Sequence, residues 1–395
     1  LLLVSLSIGG ENLAESFSTK VRIVPARPED APAVEAFNAR MRAAGVGHQL
    51  AVSRPFPDYV LHNGSPVLLE RFFAWVDGEL RGGVVVKRMP FWTAGAGASE
   101  VAFFCHPVSE GVVNPEFGFL GLTLQKFVAR RCPLVYGLGT GGLEQPVARL
   151  MVAGGWEAQP VPFRFRVFHA APFLRNIEFL RRRHALARGL ADLAAFTGLG
   201  ALGLALLHLG LALAGRRFRQ TGFHREAVST WGAWADDLWR QAREHYALIG
   251  DRSASTLATL YPDGHPHLRR LRVLNPAGEV VGWAVVSVAQ QRNSPYFGQM
   301  NLGALVDCLA RPGAELPVVS HALAAMRELG ADLAVTNHSA TAVLRACDRA
   351  GMLPGPTNYF LFLAPALRRR VEPARAAGRS VYFTRGDGDG PIHLW

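Results

Sequence analysis

Apolar positions along this chain alternate in short runs, then switch to a helical spacing, and the same succession of patterns occurs twice. Residues 21–26 alternate as an opening strand. Arg27-Pro28-Glu29-Asp30 then starts a helix whose first-turn acids suit the helix dipole, with apolar spacing continuing to Met41. Apolar runs at 72–76 and 83–87 flank Asp77-Gly78, a strong hairpin signal. Beyond it the pattern predicts a strand at 101–105, a glycine-containing segment at 111–121, a helix at 122–130, a strand at 134–137, a helix at 146–153 and a closing strand at 163–168. Later, helices are predicted at 230–247 and 254–261, with a hairpin at Ala277-Gly278. A strand at 302–309, a helix at 316–329, a strand at 333–337, a helix at 341–350 and a closing strand at 359–363 complete the second set. A hairpin followed by alternating helix and strand predicts α/β architecture, with a mixed, mainly antiparallel twisted sheet in each half.

The two sets align residue by residue. The stretch 77–86 (DGELRGGVVV) reads against 277–286 (AGEVVGWAVV), Ala153-Gly154-Gly155-Trp156 against Arg349-Ala350-Gly351-Met352, and Pro160-Val161-Pro162 against Pro354-Gly355-Pro356. The separation shrinks slowly, from 200 to 196 to 194 residues. Three matches in one order indicate a duplication with small loop deletions, and the period is far too long for a solenoid unit. The expected division is a frayed leader at 1–20, one module at 21–172, a connector at 173–222, a second module at 223–372 and a tail at 373–395. In the tail, Arg385, Asp387 and Asp389 read as a solvated glycine-rich turn.

Charge changes the picture in one place. The net charge is +11, yet Lys occurs only at 20, 87 and 126, and residues 173–222 hold eight Arg against Glu178 and Asp192. A basic connector beside an apolar stretch points to peripheral contact with an acidic membrane surface more than to a nucleic-acid groove. Within it, the only conventionally polar side chains of 193–215 are Thr197 and His208. Three readings stay open for that stretch: a single membrane span, a re-entrant or interfacial hairpin, or helices buried between the modules. Residues 1–20 lack a basic n-region and do not read as a secretory signal. Cys105, Cys132, Cys308 and Cys347 form no metal-ligand pattern, which fits a reducing compartment and no structural metal. No nucleophile elbow, phosphate-binding Walker loop or paired-histidine zinc helix occurs.

The opening strand with Arg27-Pro28-Glu29-Asp30, the hairpin, the stretch Glu100-Val101-Ala102-Phe103-Phe104-Cys105-His106-Pro107 and the helix closing on Gly154-Gly155-Trp156 together resemble the GNAT superfamily of acyl-CoA-dependent N-acyltransferases. As a whole, the doubled arrangement resembles bacterial GNAT-like proteins of envelope polysaccharide pathways. The resemblance implies a fourth strand that parts from the fifth, exposing backbone groups that hold the pantetheine arm as an added strand. It implies acetyl-CoA or another acyl-CoA as co-substrate, held by Cys105, His106, Gly118, Leu120, Gly121 and Leu122, with pyrophosphate at the helix start. At the place of the family's phosphate loop, 114–121 carries glycines but no basic residue, and the position of its usual tyrosine acid is Met151 in one half and Cys347 in the other.

Four residues are candidate catalysts. Glu100 stands where such families place a general base. Asp307 is a lone carboxylate inside an apolar strand, and Asn337 and His338 follow a buried strand at its carboxyl end, where ligands collect. The expected activity is transfer of an acyl group to a small-molecule amine, such as an amino sugar or envelope precursor, in the cytoplasm or at the inner membrane, with one half catalytic. Two other readings are a non-catalytic scaffold at the membrane and an aminoacyl-tRNA-dependent transferase.

Overall fold

Both predicted hairpins form, and each turns on a glycine in the left-handed region, Gly78 at φ 86° and Gly278 at φ 80°. The computed structural model describes residues 21–50, 66–176 and 222–388 except 293 and 295, together with 203 and 206. The first half begins with β1 (Val21–Pro25) and α1 (Ala31–Ala43), followed by the long strands β2 (Leu68–Val76), β3 (Glu79–Thr93) and β4 (Gly97–Ser109). Next come α2 (Leu120–Arg131), β5 (Val135–Gly139), α3 (Pro146–Ala153), β6 (Glu157–Pro160), β7 (Phe163–Val167) and α4 (Ala170–Asn176). The second half contains β8 (His224–Ala227), α5 (Ala233–Ala242), β9 (Leu248–Gly250), α6 (Ala254–Leu260), β10 (Leu268–Leu274), β11 (Val280–Gln290) and β12 (Asn301–Ala310). It closes with α7 (Glu315–Glu328), β13 (Leu333–Asn337), α8 (Thr341–Arg349), β14 (Leu353–Gly355), β15 (Phe360–Leu363), α9 (Pro365–Ala376) and β16 (Val381–Tyr382).

Two mixed sheets flanked by helices result, and their strand orders correspond. One runs β1-β2-β3-β4-β5-β15-β6 and the other β8-β10-β11-β12-β13-β7-β14. The closing strand of each half therefore lies in the sheet of the other half. Side chains explain the exchange. Phe360-Leu361-Phe362-Leu363 is apolar on both faces, and β15 is central, with Leu361 in the core between the sheets and Phe362 in the core beneath α2 and α3. By contrast, β7 alternates, and its arginines reach second-half groups. Arg164 pairs with Asp348 at 2.6 Å, and Arg166 donates to the Ala350 carbonyl.

Other differences from the expected elements are local. The helix expected over 230–247 stops at Ala242, and Leu248–Gly250 pairs instead with the far end of β3. Strands β6 and β14 were not legible as runs, being short and partly polar. Residues 193–215, apart from 203 and 206, lie outside the described residues. Among the described residues, no helix is long and apolar enough to cross a membrane.

Candidate functional site

In the first sheet β4 and β5 run parallel, but they are in register only at Ala102–Val135 and Phe103–Tyr136. The cause of the parting lies three residues on. Between the pairs Gly83–Val108 and Val85–Cys105, the two residues His106 and Pro107 stand opposite the single residue Val84. That bulge bends β4 away from β5, and His106 takes φ 44° to make it. On the other bank, Gly139, Thr140, Gly141 and Gly142 have φ of 100°, 67°, 76° and 125°, and Thr140 is a non-glycine residue held in that region. Glycine at 139 is also required by a close approach, since a Cβ there would lie 3.3 Å from the Tyr359 ring. The gap thus opens at the carboxyl ends of both strands, beside α2 and its preceding turns.

The second sheet repeats the device. Strands β12 and β13 are in register from Leu302–Leu333 to Ala304–Val335, and β12 then bulges at Val306. Here the gap is filled by the protein's own tail. Thr384 forms an antiparallel bridge with His338, and Ser339 N donates to the Phe383 carbonyl at 3.0 Å. Phe383 N donates to Ser339 Oγ at 2.7 Å, and the Tyr382 hydroxyl reaches the Cys308 carbonyl of β12. The tail thereby supplies the backbone partner that an added strand would supply.

Beyond β16 the tail turns through residues 384–388 between the two sheets and gathers a buried ionic cluster. Arg252 Nε lies 2.8 Å from Asp307 Oδ2, and its Nη2 lies 2.8 Å from Asp387 Oδ1, all three side chains being fully buried. Tyr261 donates to Asp307 at 2.7 Å, and Cys308 N donates to its other oxygen at 2.9 Å. From the first sheet, Lys87 Nζ donates to the carbonyls of Asp387 and Gly388 at 2.8 and 3.0 Å, and Tyr136 donates to the Asp387 carbonyl at 2.7 Å. Two cations and two carboxylates meet in this cluster, a balance that buried charge requires. Gly386 is demanded by the crowding, because a Cβ would fall 2.0 Å from the Tyr261 hydroxyl.

Burial dominates the titration of Asp307 and His338. It pushes the Asp307 carboxyl up to about 6, against the pull of Arg252. His338 accepts a hydrogen bond at Nδ1 from Ala340 N (3.0 Å), so its proton sits on Nε2, beside the Tyr382 ring. Burial holds this imidazole down at about 3, and it is neutral at any working pH.

The structure brings Asp307, Asn337 and His338 together around the tail, and it places Glu100 elsewhere. Glu100 precedes the parting on β4, is half-exposed and pairs with Arg88 at 2.6 Å. Cys105 is buried at the parting itself, His106 is exposed on the bulge, and Gly118, Leu120, Gly121 and Leu122 surround the start of α2. Val112, Val113, Phe119 and Leu122 form exposed apolar surface there. The nearby carboxylate, Glu110, is held below its ordinary range by Arg40 and Arg81 despite partial burial.

Sequence reasoning did not find Arg252, Tyr261, Lys87 or Tyr136. It read 385–389 as a solvated turn, whereas Thr384, Gly386 and Asp387 are buried. The only advance signal was Asp307 in its apolar strand, which implied a partner without naming one. A surface cavity of about 660 Å³ lined by Gly155, Pro365, Arg368, Arg369, Glu372, Pro373 and Ala376 lies at the opposite end of β5, away from both gaps. Among the described residues, no cluster of His, Cys, Asp and Glu could hold a metal ion.

No family model matches the chain, and no curated protein matches it. Among solved structures, the chain is similar to a conserved protein of unknown function from Enterococcus faecalis V583, described as a probable N-acyltransferase. Identity is 10%, with TM-score 0.47, over 87% of this chain and 72% of that one. It is also similar to Saccharomyces cerevisiae N-myristoyltransferase with bound myristoyl-CoA, at 12% identity and TM-score 0.49, over 90% and 80% of the two chains. A tandem GNAT protein from the clavulanic acid biosynthesis pathway is similar at 12% identity and TM-score 0.43, over 87% and 99%.

Proposed function

We propose that the chain is an acyltransferase that takes an acyl-CoA in the gap of the first module and passes the acyl group to a small-molecule amine. The observation that carries this reading is the contrast between the two gaps. In the second, Thr384 and Phe383 pair with His338 and Ser339, so the place for an added strand is taken. In the first, the described part of the tail pairs with neither β4 nor β5; it donates no strand bridge there, accepts hydrogen bonds from Lys87 and Tyr136, and lies against Leu138 and Tyr359 at Gly388.

The residues of the first gap suit such a co-substrate in part. The parted stretch Phe104–Val108, with Cys105 and His106, would run alongside a pantetheine arm. Gly118, Leu120, Gly121 and Leu122 present the start of α2, whose first backbone N–H groups have no partner within the helix. No Lys or Arg occurs between His106 and Lys126. From this segment the pyrophosphate end would therefore be held by N–H groups, with the arm and the acyl chain adding affinity. In the reaction the amine nitrogen bonds to the thioester carbon, the C–S bond breaks, and the amine proton leaves while the thiolate is protonated. Asp307, Asn337 and His338 act through the tail they hold, and Glu100, paired with Arg88, takes no part.

The test is release of free CoA thiol from acetyl-CoA and longer acyl-CoAs in the presence of simple amines, amino sugars and amino acids, with calorimetry alongside. Thioester binding and amine-dependent thiol release are expected in the wild type and in Glu100→Gln. Absence of both binding and release with every thioester would reject the reading in favour of a non-catalytic protein.

A further inference from the structure

Among the described residues, Arg385 of the buried tail turn meets no carboxylate. It is largely buried, where desolvation lowers its pKa. Only Nη2 is engaged by hydrogen bonding, donating to Asn337 Oδ1 at 2.8 Å. The guanidinium carbon stands 5.9 Å from the centroid of the Tyr359 ring, and Nε is buried without a partner. Among the described residues, the acids at the turn, Asp307 and Asp387, face Arg252 instead. A buried guanidinium without a counter-anion costs free energy, and its planar fork matches a carboxylate.

Its position supplies the meaning. Asn337 ends β13, and Tyr359 packs against Gly139, which ends β5. Arg385 therefore sits where the carboxyl ends of both parting strands converge, one aromatic ring away from the first gap. A single uncompensated positive charge is matched by a monoanion, whereas a phosphate dianion would call for a second cation.

We propose that Arg385, steadied by Asn337 and Tyr359, binds a carboxylate of the acyl acceptor, so that the acceptor is an amine that also carries a carboxylate, as amino acids do. This rests on the acyltransferase reading, but the site can be tested without turnover. Thermal unfolding of the full chain is followed in rising acetate, against chloride at equal ionic strength, for the wild type, Arg385→Gln and Arg385→Lys. Acetate is expected to raise the wild-type midpoint by about 2 °C more than that of Arg385→Gln. Arg385→Lys, which keeps the charge but loses the planar fork, retains part of the shift. In the thiol-release assay, KM for L-alanine should lie about tenfold below that for L-alaninamide, a difference of about 1.4 kcal/mol, and the preference should vanish in Arg385→Gln.

Equal acetate shifts in wild type and Arg385→Gln would overturn the inference. A wild-type-specific shift with inorganic phosphate and none with acetate would overturn the carboxylate assignment. An acetate shift that depends on Arg385, with no thiol release from any amine, would uphold the carboxylate site and reject the acyltransferase reading alone.

Discussion

Arg252→Met is expected to destabilise the protein by about 3–5 kcal/mol, read as a lowered urea midpoint with an unchanged transition slope. Methionine nearly matches the length of the arginine stem, so the loss is electrostatic rather than a cavity. Two carboxylates, Asp307 and Asp387, would remain in a site with no exposed side-chain surface, and the nearby cations are engaged elsewhere, Lys87 by backbone carbonyls and Arg385 by Asn337. The tail would lose its anchor at Asp387, which also accepts from Thr384 N at 2.8 Å. Loosening the tail opens the gap of the second module as well. Arg252→Met should therefore expose the amides of 305–310 to hydrogen exchange, whereas a surface variant such as Glu100→Gln should not. A loss below about 1 kcal/mol, the scale of an exposed pair, would mean that the cluster does not hold the tail.

The second large effect is in the dependence of stability on pH. An unfolded Asp titrates near about 3.9 and an unfolded His near about 6.5. The folded Asp307 carboxyl, raised by burial to about 6, keeps a proton that the unfolded chain has lost between pH about 4 and 6, so its contribution falls as pH rises through that window. His338, lowered by burial to about 3, lacks a proton that the unfolded chain holds between pH about 3 and 6.5, so its contribution falls as pH drops. Each slope approaches about 1.4 kcal/mol per pH unit, and over pH about 4 to 6 the two oppose each other. Asp307→Asn should unmask the histidine, and stability should drop by about 2–3 kcal/mol as pH falls from 6 to 4. His338→Gln should do the reverse, gaining stability over the same interval. Parallel pH profiles for the wild type and both variants would show that neither group titrates as its burial implies.

What could be read in the sequence is what local pattern controls. The strand Leu333–Asn337 is a short run bounded by Ala331-Asp332 and His338, and helix Pro146–Ala153 begins at a proline suited to a first helical turn; both formed at their expected bounds. The two hairpin glycines and the matched Gly155 and Gly351, at φ 78° and 80°, made the duplication legible, because each position needs a backbone that other residues resist. What stayed hidden depends on partners distant in sequence. Nothing in Phe163–Val167 says that its arginines meet Asp348 and Ala350, so the exchange of closing strands could not be foreseen. Asp307 announced a need for a partner, but Arg252 and Tyr261 lie in segments that read as ordinary helix and loop. The bulges at His106 and Val306 part the strands through one extra residue, which leaves no mark on apolar alternation until the pairing is known.

Hydrogen exchange with and without acyl-CoA tests most directly whether the first gap alone takes the thioester. Added acyl-CoA should slow exchange at 104–109 and 137–142 and leave 305–310 and 336–339 as they were, already protected by the tail. Protection appearing at 305–310 and 336–339, or at neither pair of segments, would contradict the account.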